Sequence, residues 1–479
     1  MQFPRNNFYY GKRSANRGYA ALIIITTILI AGAGAVAYYL SSGSRAKTAS
    51  DAQTAAALSQ AKAALIGWAT SASRPGELPC PSQTTLADGT PAGIATTPCS
   101  GHAIGYLPWQ TLKLPALRDS SGELLWYAVS PAFKNNPVLT PLNSDTLGAF
   151  TVTGVTAASN VIAIVFAPGT VLESQSQNRT LLQNAACSTT GTTIPRIRCA
   201  ANYLEGGNGD NDNNFVTSVA SIITESSSAT FNDKLVLITR EDLFPPVEAR
   251  VAREIRSNLK SYYEINRYLP QAAPLSGSTD CDSGTFPAGT YRGRIPLACA
   301  NVAGLTLPTW FSGNNWHQML IYGVAPRCTP KIVTTTVPDT SVAWTNYATA
   351  QAGLYCESVT INIFGFPFTY FRCRPYITTT SIDTAALGCN NIAEGQTFLT
   401  IGSNNAVKTI IAPSSYNLAG QSGLRTAITD YMEAVSSNNE NRDTPDNYIY
   451  VTPVRSSINN DTLLCLDGSG TSPCIATTP

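Results

Sequence analysis

The feature that most constrains this chain is an uncharged apolar stretch near its N-terminus. From Tyr19 to Leu40 there is no charged residue, and aliphatic side chains dominate the first half. At about 1.5 Å per residue, a helix over this stretch is roughly 33 Å long, enough to cross the hydrocarbon core of a bilayer. Its predicted membrane anchor consists of Leu22, Ile23, Ile24, Ile25, Ile28, Leu29 and Ile30.

The residues before this stretch predict its orientation. Residues 1–18 contain four basic side chains, Arg5, Lys12, Arg13 and Arg17, and no acidic ones. The positive-inside rule therefore predicts that residues 1–18 stay in the cytoplasm and that the remainder is exported. We expect a long region outside the cytoplasmic membrane, carried on one transmembrane helix.

The composition agrees with export and excludes several functions. Charged residues make up 13% of the chain, well below the roughly 25% of ordinary soluble domains. A net charge of +1 offers no electrostatic basis for nucleic-acid binding. Twelve cysteines in an exported chain predict disulfides rather than thiols. Only His102 and His317 could supply an imidazole, so we assign no catalytic residue and expect a protein that is not an enzyme.

The N-terminal segment combines a basic leader ending in Gly18, an aromatic Tyr19 and an unbroken apolar run. Here the sequence resembles the type IV pilin and type II secretion pseudopilin family. The resemblance implies that a prepilin peptidase cuts after Gly18 and methylates Tyr19. It also implies that the apolar helix is both membrane anchor and filament core, with other pilin-type subunits as partners, and that the head lies in the bacterial periplasm or on a surface filament.

One position departs from the family. Its members usually carry glutamate at the fifth mature position, where this chain has Ile23. In the family that carboxylate pairs with the terminal amine of a neighbouring subunit, and a buried ion pair is favourable only when both partners are present. A subunit at the filament tip has no such neighbour. The resemblance therefore implies a minor, tip-type subunit.

An ordinary signal peptide is the alternative. Ala35-Val36-Ala37 fits a small-x-small cleavage pattern, and Leu22–Ile30 would be the short apolar core. Cleavage after Ala37 would release an exported surface or periplasmic binding protein. An unprocessed signal anchor is a third possibility.

The residues after the apolar run favour the pilin-like interpretation. Residues 44–70 contain no proline and are rich in alanine. Leu58, Ala61, Leu65 and Trp68 recur at spacings of three and four residues, which is typical of one helix face. The sequence thus predicts a helix that continues from the membrane to about Thr70 and packs on a globular head.

The head shows internal similarity. Residues Ile162–Thr180 match Lys408–Thr426 with one gap, and Tyr203-Leu204-Glu205 matches Tyr431-Met432-Glu433. The matched charged residues are Arg179 with Arg425, Glu205 with Glu433, and Asp233 with Asp461. Because they recur in both copies, we expect structural ion pairs or caps rather than an active site.

The resulting fold prediction is α+β, with a long N-terminal helix followed by two tandem pilin-like modules. Each module is expected to be a helix packed on an antiparallel sheet with disulfide-stapled loops. The second helix is expected at Val247–Asn266, after Pro246, with an apolar stripe of Val247, Val251, Ile255, Leu259 and Tyr262. Strands are expected at Val161–Phe166, Leu235–Thr239 and Val359–Phe364, which are rich in β-branched or aromatic residues. The predicted parts are a leader at 1–18, the transmembrane helix and its extension at 19–49, modules at 50–244 and 245–479, and a cysteine-rich insertion at about 325–400.

The cysteines divide into one pair for each module, a pair in a loop of the first module, four in the insertion and a pair near the C-terminus. The disulfide candidates are Cys80, Cys99, Cys187, Cys199, Cys281, Cys299, Cys328, Cys356, Cys373, Cys389, Cys465 and Cys474. Pairing of neighbours along the chain is the simplest connectivity. The sequence does not determine the pairing among the four insertion cysteines.

One loop is a candidate calcium site. Asn208, Asp210, Asp212 and Asn214 place oxygen side chains at every second position, as calcium loops do. The usual glycine and the usual bidentate acid are missing from this loop. An exposed cluster of turn residues explains the same pattern. Calcium is the one cofactor that the sequence suggests.

The insertion also contains an aromatic cluster, formed by Phe364, Phe366, Phe368, Tyr370 and Phe371. Such a cluster in an extra, stapled segment is typical of a contact surface for a partner. Packing into a core of the insertion explains the same residues, and from the sequence alone we favour that interpretation.

Overall fold

The computed structural model describes most of the predicted head. The described residues are 47–83, 92–96, 104–135, 141–154, 157–172, 200–205, 208, 222–225, 231–276, 281–282, 286–287, 290–297, 304–391, 397–401, 404–414, 425–432, 448–450 and 463–467. The predicted leader, its processing site at Gly18 and Tyr19, and the membrane anchor lie outside them. Within these ranges, no helix is long and apolar enough to cross a membrane.

The described chain is a mixture of helices and sheets, in agreement with the predicted class. Its helices are α1 at residues 47–71, α2 at Arg240–Asn266 and the short α3 at Thr309–Gly313. The strands of the first half are β1 Ile104–Tyr106, β2 Trp126–Val129, β3 Phe150–Gly154, β4 Ala158–Val161, β5 Ala163–Ala167, β6 Ile222–Glu225 and β7 Lys234–Ile238.

The strands of the second half follow α2. They are β8 Cys281–Asp282, β9 Phe286–Pro287, β10 Arg292–Gly293, β11 Leu320–Val324, β12 Ile332–Pro338, β13 Thr345–Tyr347, β14 Leu354–Ile363, β15 Phe366–Ile382, β16 Leu399–Ile401, β17 Asn404–Pro413, β18 Ile449–Tyr450 and β19 Leu464–Asp467.

The two halves form main sheets with corresponding pairings. In the first, the order is β1-β2-β5-β7, with every neighbouring pair antiparallel. In the second, β10, β11 and β17 follow one another antiparallel, and β19 also pairs antiparallel with β17. Among the described strands, each half also contains a parallel pair, β3 with β6 and β16 with β18.

The central strand β5 shows why the sequence forms this sheet. All five of its residues are buried, because both faces of the strand are covered. Ala163, Val165 and Ala167 face the core that contains the helices, whereas Ile164 and Phe166 belong to a second cluster on the opposite side. Side chains alternate between the faces of a strand, so a continuous apolar run is needed where both faces are buried.

The two long helices share one core between the sheets. In α1 the predicted stripe is confirmed for Leu58, Ala61 and Leu65, which are buried, while Ala69 rather than Trp68 continues it. Both helices and strands from both sheets contribute to the same buried cluster. In α2 the predicted stripe is buried throughout: Val247, Val251, Ile255, Leu259 and Tyr262.

Polar contacts join the helices at the edge of this core. Lys62 of α1 lies 2.7 Å from Asp242 of α2. Nη1 of Arg250 donates to the carbonyl oxygen of Ala72, just beyond α1, at 2.5 Å. These contacts fix the two helices relative to each other at the surface, where the apolar stripe ends.

The expected start of α2 is wrong by about two turns. The helix begins at Arg240 and contains Pro245 and Pro246 within it, whereas Pro246 was expected to precede it. The N–H of Thr239 donates to Asp242 at 2.9 Å, and this cap begins the helix earlier than proline does. The end at Asn266 is as expected, with Arg267 in the left-handed conformation.

We predict that the shared core dominates stability. Replacing Leu259, which is fully buried, by alanine should lower the free energy of unfolding by about 2–5 kcal/mol, because it leaves a cavity between the helices. Urea unfolding of the full chain measures the change. The matched control is Ile265→Ala in the same helix, where the side chain is 78% exposed and the expected change is within about 0.5 kcal/mol. Equal midpoints for the two variants would contradict the prediction.

Candidate functional site

The predicted insertion forms a separate arm with its own sheet. β15 pairs with β12, β13 and β14, and none of these strands belongs to the main sheet of the second half. A disulfide between Cys328 and Cys389 joins the two ends of the arm. Next to this disulfide, Nζ of Lys331 lies 2.9 Å from Oδ2 of Asp383, and this ion pair also joins the two ends of the arm.

The base of the arm is attached to α2. The hydroxyl oxygen of Tyr263 lies 3.4 Å from the sulfur of Cys389. The N–H of Gly388 donates to the carbonyl oxygen of Arg267, at the C-terminal end of α2, at 2.6 Å. The arm is therefore held to the helix that lies in the shared core.

Beyond its base the arm becomes a long antiparallel hairpin, formed by β14 and the first part of β15. Cys356 and Cys373 lie opposite each other in these strands and form a second disulfide inside the first. The structure thus resolves the pairing that the sequence left open. The two disulfides are nested: Cys356 pairs with the next cysteine along the chain, and Cys328 pairs with Cys389 outside them. Cys80 and Cys465 are disulfide-bonded as well.

The two faces of the hairpin differ in chemistry. Residues paired directly across antiparallel strands project to the same face. One face carries the pairs Val359–Tyr370, Ile361–Phe368 and Ile363–Phe366. The other carries Ser358–Phe371, Thr360–Thr369 and Asn362–Pro367. The end of the hairpin is therefore amphipathic, with six apolar or aromatic side chains in two adjacent rows.

The apolar face is exposed. The exposed fractions are 70% for Phe366, 56% for Phe368 and 42% for Ile361 and Ile363. Phe364, at the turn, is 97% exposed. The favoured expectation of core packing is therefore wrong for this part of the cluster. The physical reason is that the hairpin belongs to neither main sheet, and among the described residues no second layer covers its apolar face.

The turn places an aromatic side chain where turn chemistry disfavours it. Phe364 and Gly365 form a two-residue loop, and their φ angles are 52° and 85°. A loop with two positive φ angles is typical of a type I′ turn, which prefers asparagine, aspartate or glycine at its first position. A bulky residue is strained there. The presence of phenylalanine at position 364 is therefore explained neither by the conformation of the turn nor by packing against other residues.

A charged boundary lies farther down the hairpin. Residues 358–371 contain no charged side chain. Glu357 and Arg372 flank this stretch and pair at 2.7 Å. The guanidinium carbon of Arg374 lies 3.6 Å from the ring centre of Trp344. The end of the hairpin thus carries no charge, whereas an ion pair and a cation–π contact lie closer to the base of the arm.

The predicted calcium loop lies largely outside the described residues, which include Asn208 but not Asp210, Asp212 or Asn214. Asn208 is buried, and its Nδ2 donates to Oδ2 of Asp233 at 3.0 Å. Among the residues that the structure describes, no three His, Cys, Asp or Glu side chains come together as a metal site. Calcium binding stays a prediction for this loop.

Two carboxyl groups of the predicted structural set meet beside Asn208. Oε2 of Glu205 accepts hydrogen bonds from the N–H groups of Asn232 and Asp233, at 2.9 and 3.0 Å. In return, Oδ2 of Asp233 accepts from the N–H of Glu205 at 2.9 Å. Both side chains are buried. Burial and the nearby Glu205 carboxylate raise the pKa of Asp233 to about 8, so this carboxyl holds its proton at neutral pH.

Two other predicted residues have structural positions. Arg425 is buried. Its Nη2 lies 2.7 Å from Oδ1 of Asp145, a residue of the first half, so the two residues form an ion pair between the halves. His317 lies in a short 3-10 helix, Trp316–Gln318, that precedes β11. Arg179, Glu433, Asp461 and His102 lie outside the described residues.

Sequence reasoning missed the vertex of the hairpin. Two strands joined by Phe364-Gly365 contain the two-residue spacing of a hairpin, but the usual Asn-Gly signal is missing. Ile361 and Ile363 were not assigned to the aromatic cluster either. Their alternation with Thr360 and Asn362 is the signal that could have identified an amphipathic strand.

We predict that Phe364 reduces the local stability of the hairpin. Phe364→Asn should stabilise the turn by about 1 kcal/mol, because asparagine adopts positive φ more readily. Amide hydrogen exchange in β14 and β15 should then slow roughly fivefold. Phe366→Asn is the matched control, and it should speed exchange because asparagine is poor in strands. Faster exchange in Phe364→Asn would contradict the strained turn.

A second prediction concerns pH. Because the pKa of Asp233 is raised to about 8 in the folded chain, the folded state binds more protons than the unfolded state between about pH 4 and 8. The free energy of unfolding should therefore fall as the pH rises through this range, by at most about 1.4 kcal/mol per pH unit. Thermal unfolding at several pH values measures this slope.

Asp233→Asn should flatten that slope, because an amide does not titrate. The control is Asp383→Asn at the base of the arm. The hydrogen bond from Lys331 lowers the pKa of Asp383, so this carboxylate contributes stability at higher pH and loses it only in acid. Parallel pH profiles for the wild type and Asp233→Asn would contradict the prediction.

Comparison of the chain with protein-family models, with curated proteins and with solved structures found no match in any of the three. The resemblance to type IV pilins and pseudopilins therefore rests on the residues that carry it. These are the basic leader, Gly18, Tyr19 and the apolar run that follows.

Proposed function

We propose that this chain is a minor pilin-like or pseudopilin-like subunit of a type IV pilus or type II secretion filament, and that it is not an enzyme. The apolar segment at residues 19–40 anchors it in the inner membrane and then joins it to other pilin-type subunits. A prepilin peptidase processes it at Gly18. The head is displayed outside the cytoplasmic membrane, at or near the filament tip, in protein secretion or cell adhesion.

The observation that carries this proposal is the packing of α1. The helix follows the apolar segment after a short interval, and its stripe of Leu58, Ala61 and Leu65 is buried in the core beside the first sheet. Lys234 in β7 of that sheet also pairs with Asp51 of α1. A helix packed on an antiparallel sheet is the head architecture of the resembled family.

The paired sheets support a head of two tandem modules, at 50–244 and 245–479. The antiparallel set β2-β5-β7 corresponds to β11-β17-β19. Smaller contacts correspond as well. The N–H of Leu78 donates to the carbonyl of Phe133, and the N–H of Leu269 donates to that of Cys328. In each pair, the donor follows a long helix and the acceptor follows the second strand of a sheet.

The arm supports a position where the head meets something other than its own filament. The hairpin presents Phe364, which is 97% exposed, and Phe366, which is 70% exposed, as an apolar surface. Exposed apolar patches of this kind mark sites of contact with partners or membranes. Ile23 in place of the family's glutamate points in the same direction, since the charge pair in the filament core is not required at a tip.

We predict the mature N-terminus as the test. In cells that contain a prepilin peptidase, mass spectrometry of the purified chain should find N-methyl-Tyr19 as the first residue. Gly18→Leu should keep the leader at 1–18, because the peptidase requires the glycine in this family. Ala37→Leu is the matched control and should leave processing unchanged.

The opposite pattern would contradict the proposal. A mature chain that begins at Tyr38, whose formation Ala37→Leu prevents and Gly18→Leu does not, would indicate a conventional signal peptide. The protein would then be an exported binding protein without a filament role. An uncut chain would indicate a signal anchor.

A further inference from the structure

We propose that the end of the β14–β15 hairpin inserts into the interfacial region of a lipid bilayer that faces the exported head. The inserting element is the apolar face of Ile361, Ile363, Phe366 and Phe368 together with Phe364 at the vertex. This inference rests on the proposed display of the head, and it names the surface that the displayed arm contacts.

The composition of the hairpin end favours lipid over a protein pocket. Contact regions between proteins are enriched in aromatic residues, methionine and arginine, and they carry about one hydrogen bond per 100–200 Å². The five inserting side chains are phenylalanine and isoleucine only, with no donor or acceptor among them. A hydrocarbon phase requires neither hydrogen bonds nor a complementary pocket.

The order of chemistry along the hairpin agrees with a membrane interface. At about 3.4 Å per residue, Ile363 and Phe366 lie roughly 3–7 Å below the vertex, and the Glu357–Arg372 ion pair lies about 20 Å below Ile363. Trp344 and Arg374 stack near that level. Apolar side chains thus come first, and the charged groups lie far enough from the vertex that none of them has to leave water when the end of the hairpin enters the interface.

The backbone limits the depth of insertion. A two-stranded hairpin leaves N–H and C=O groups unpaired along its outer edges, and these groups are costly in hydrocarbon. Thr360 and Asn362 on the other face also favour a polar environment. Both limits confine the hairpin to the interface, where amphipathic elements bury their apolar face about 5–10 Å deep.

The arm is also built to keep this end extended. The Cys328–Cys389 disulfide closes its base and the Cys356–Cys373 disulfide braces the strands above it. Because the brace lies in the same two strands as the apolar rows, their register is fixed before they meet a surface. A prearranged contact loses less conformational entropy on binding.

The test places a fluorescent reporter at the vertex of the full chain. The chain is reconstituted in lipid nanodiscs, which occupy its own apolar segment, and is then mixed with phosphatidylcholine vesicles. The lipids of both the nanodiscs and the vesicles are brominated in their acyl chains, so insertion into either bilayer is detected. The Phe364→Trp variant has one more fluorescent tryptophan than the wild type. Bromine quenches tryptophan fluorescence only in close contact, so the extra fluorescence is lost only where the new side chain meets the acyl chains. Thr378→Trp, at an exposed site nearer the base of the same strand, is the matched control.

We expect quenching of the emission added by Phe364→Trp and none of that added by Thr378→Trp. A flotation assay with the same vesicles should show that Phe364→Asn weakens partitioning roughly tenfold or more, since one phenylalanine leaves the bilayer. That variant is expected to fold with a more stable turn, so lost binding would not reflect lost structure.

Three outcomes would overturn the inference. Absence of quenching at both sites excludes insertion, and equal quenching at both indicates non-specific adsorption. Absence of quenching together with self-association that Phe364→Asn abolishes identifies a second copy of the chain as the partner. The mature N-terminus is measured separately, so a chain that starts at Tyr38 and still inserts its hairpin contradicts only the filament proposal.

Discussion

The burial of two helix stripes in one core is the interaction on which the rest of the structure depends. Leu65 of α1 and Leu259 of α2 are both fully buried in that core. Strands from the two main sheets contribute to it as well, so neither half completes its interior alone. Removing apolar surface from water provides most of the favourable free energy of folding. The Arg425–Asp145 ion pair between the halves is secondary to this burial.

The arm contrasts with this core at every level. In the part of the chain that the structure describes, its strands pair with one another and no layer packs on its outer end. The other strands are held in place by the burial of their apolar side chains. The arm is held instead by the Cys328–Cys389 disulfide, which joins its two ends. The apolar residues at its vertex contribute little to the folding of the head, and for this reason their chemistry points to function. The same argument does not apply to Phe166 or Trp126, which are buried.

Periodicity made much of the fold predictable, because it reports local geometry. The spacing of Val247, Val251 and Ile255 predicted the buried face of α2, and the β-branched and aromatic residues of Val161–Phe166 predicted the strand β5. The hairpin was predicted only in part. An exposed amphipathic strand and a half-buried one have the same alternation, and only the surrounding layers distinguish them. The meeting of Glu205 with Asp233 depends on pairing between distant segments, which no local pattern contains.

The nested disulfides have a consequence for how this protein can change. The Cys328–Cys389 disulfide fixes the positions at which the chain leaves and rejoins the main sheets. The segment between the two cysteines can therefore vary in length and sequence without moving those positions. Between Cys328 and Cys389 the chain is thus free to diverge, whereas substitutions in α2 must satisfy two sheets at once. Among related chains, the arm should therefore differ more in length and sequence than the helices and main sheets to which it is attached.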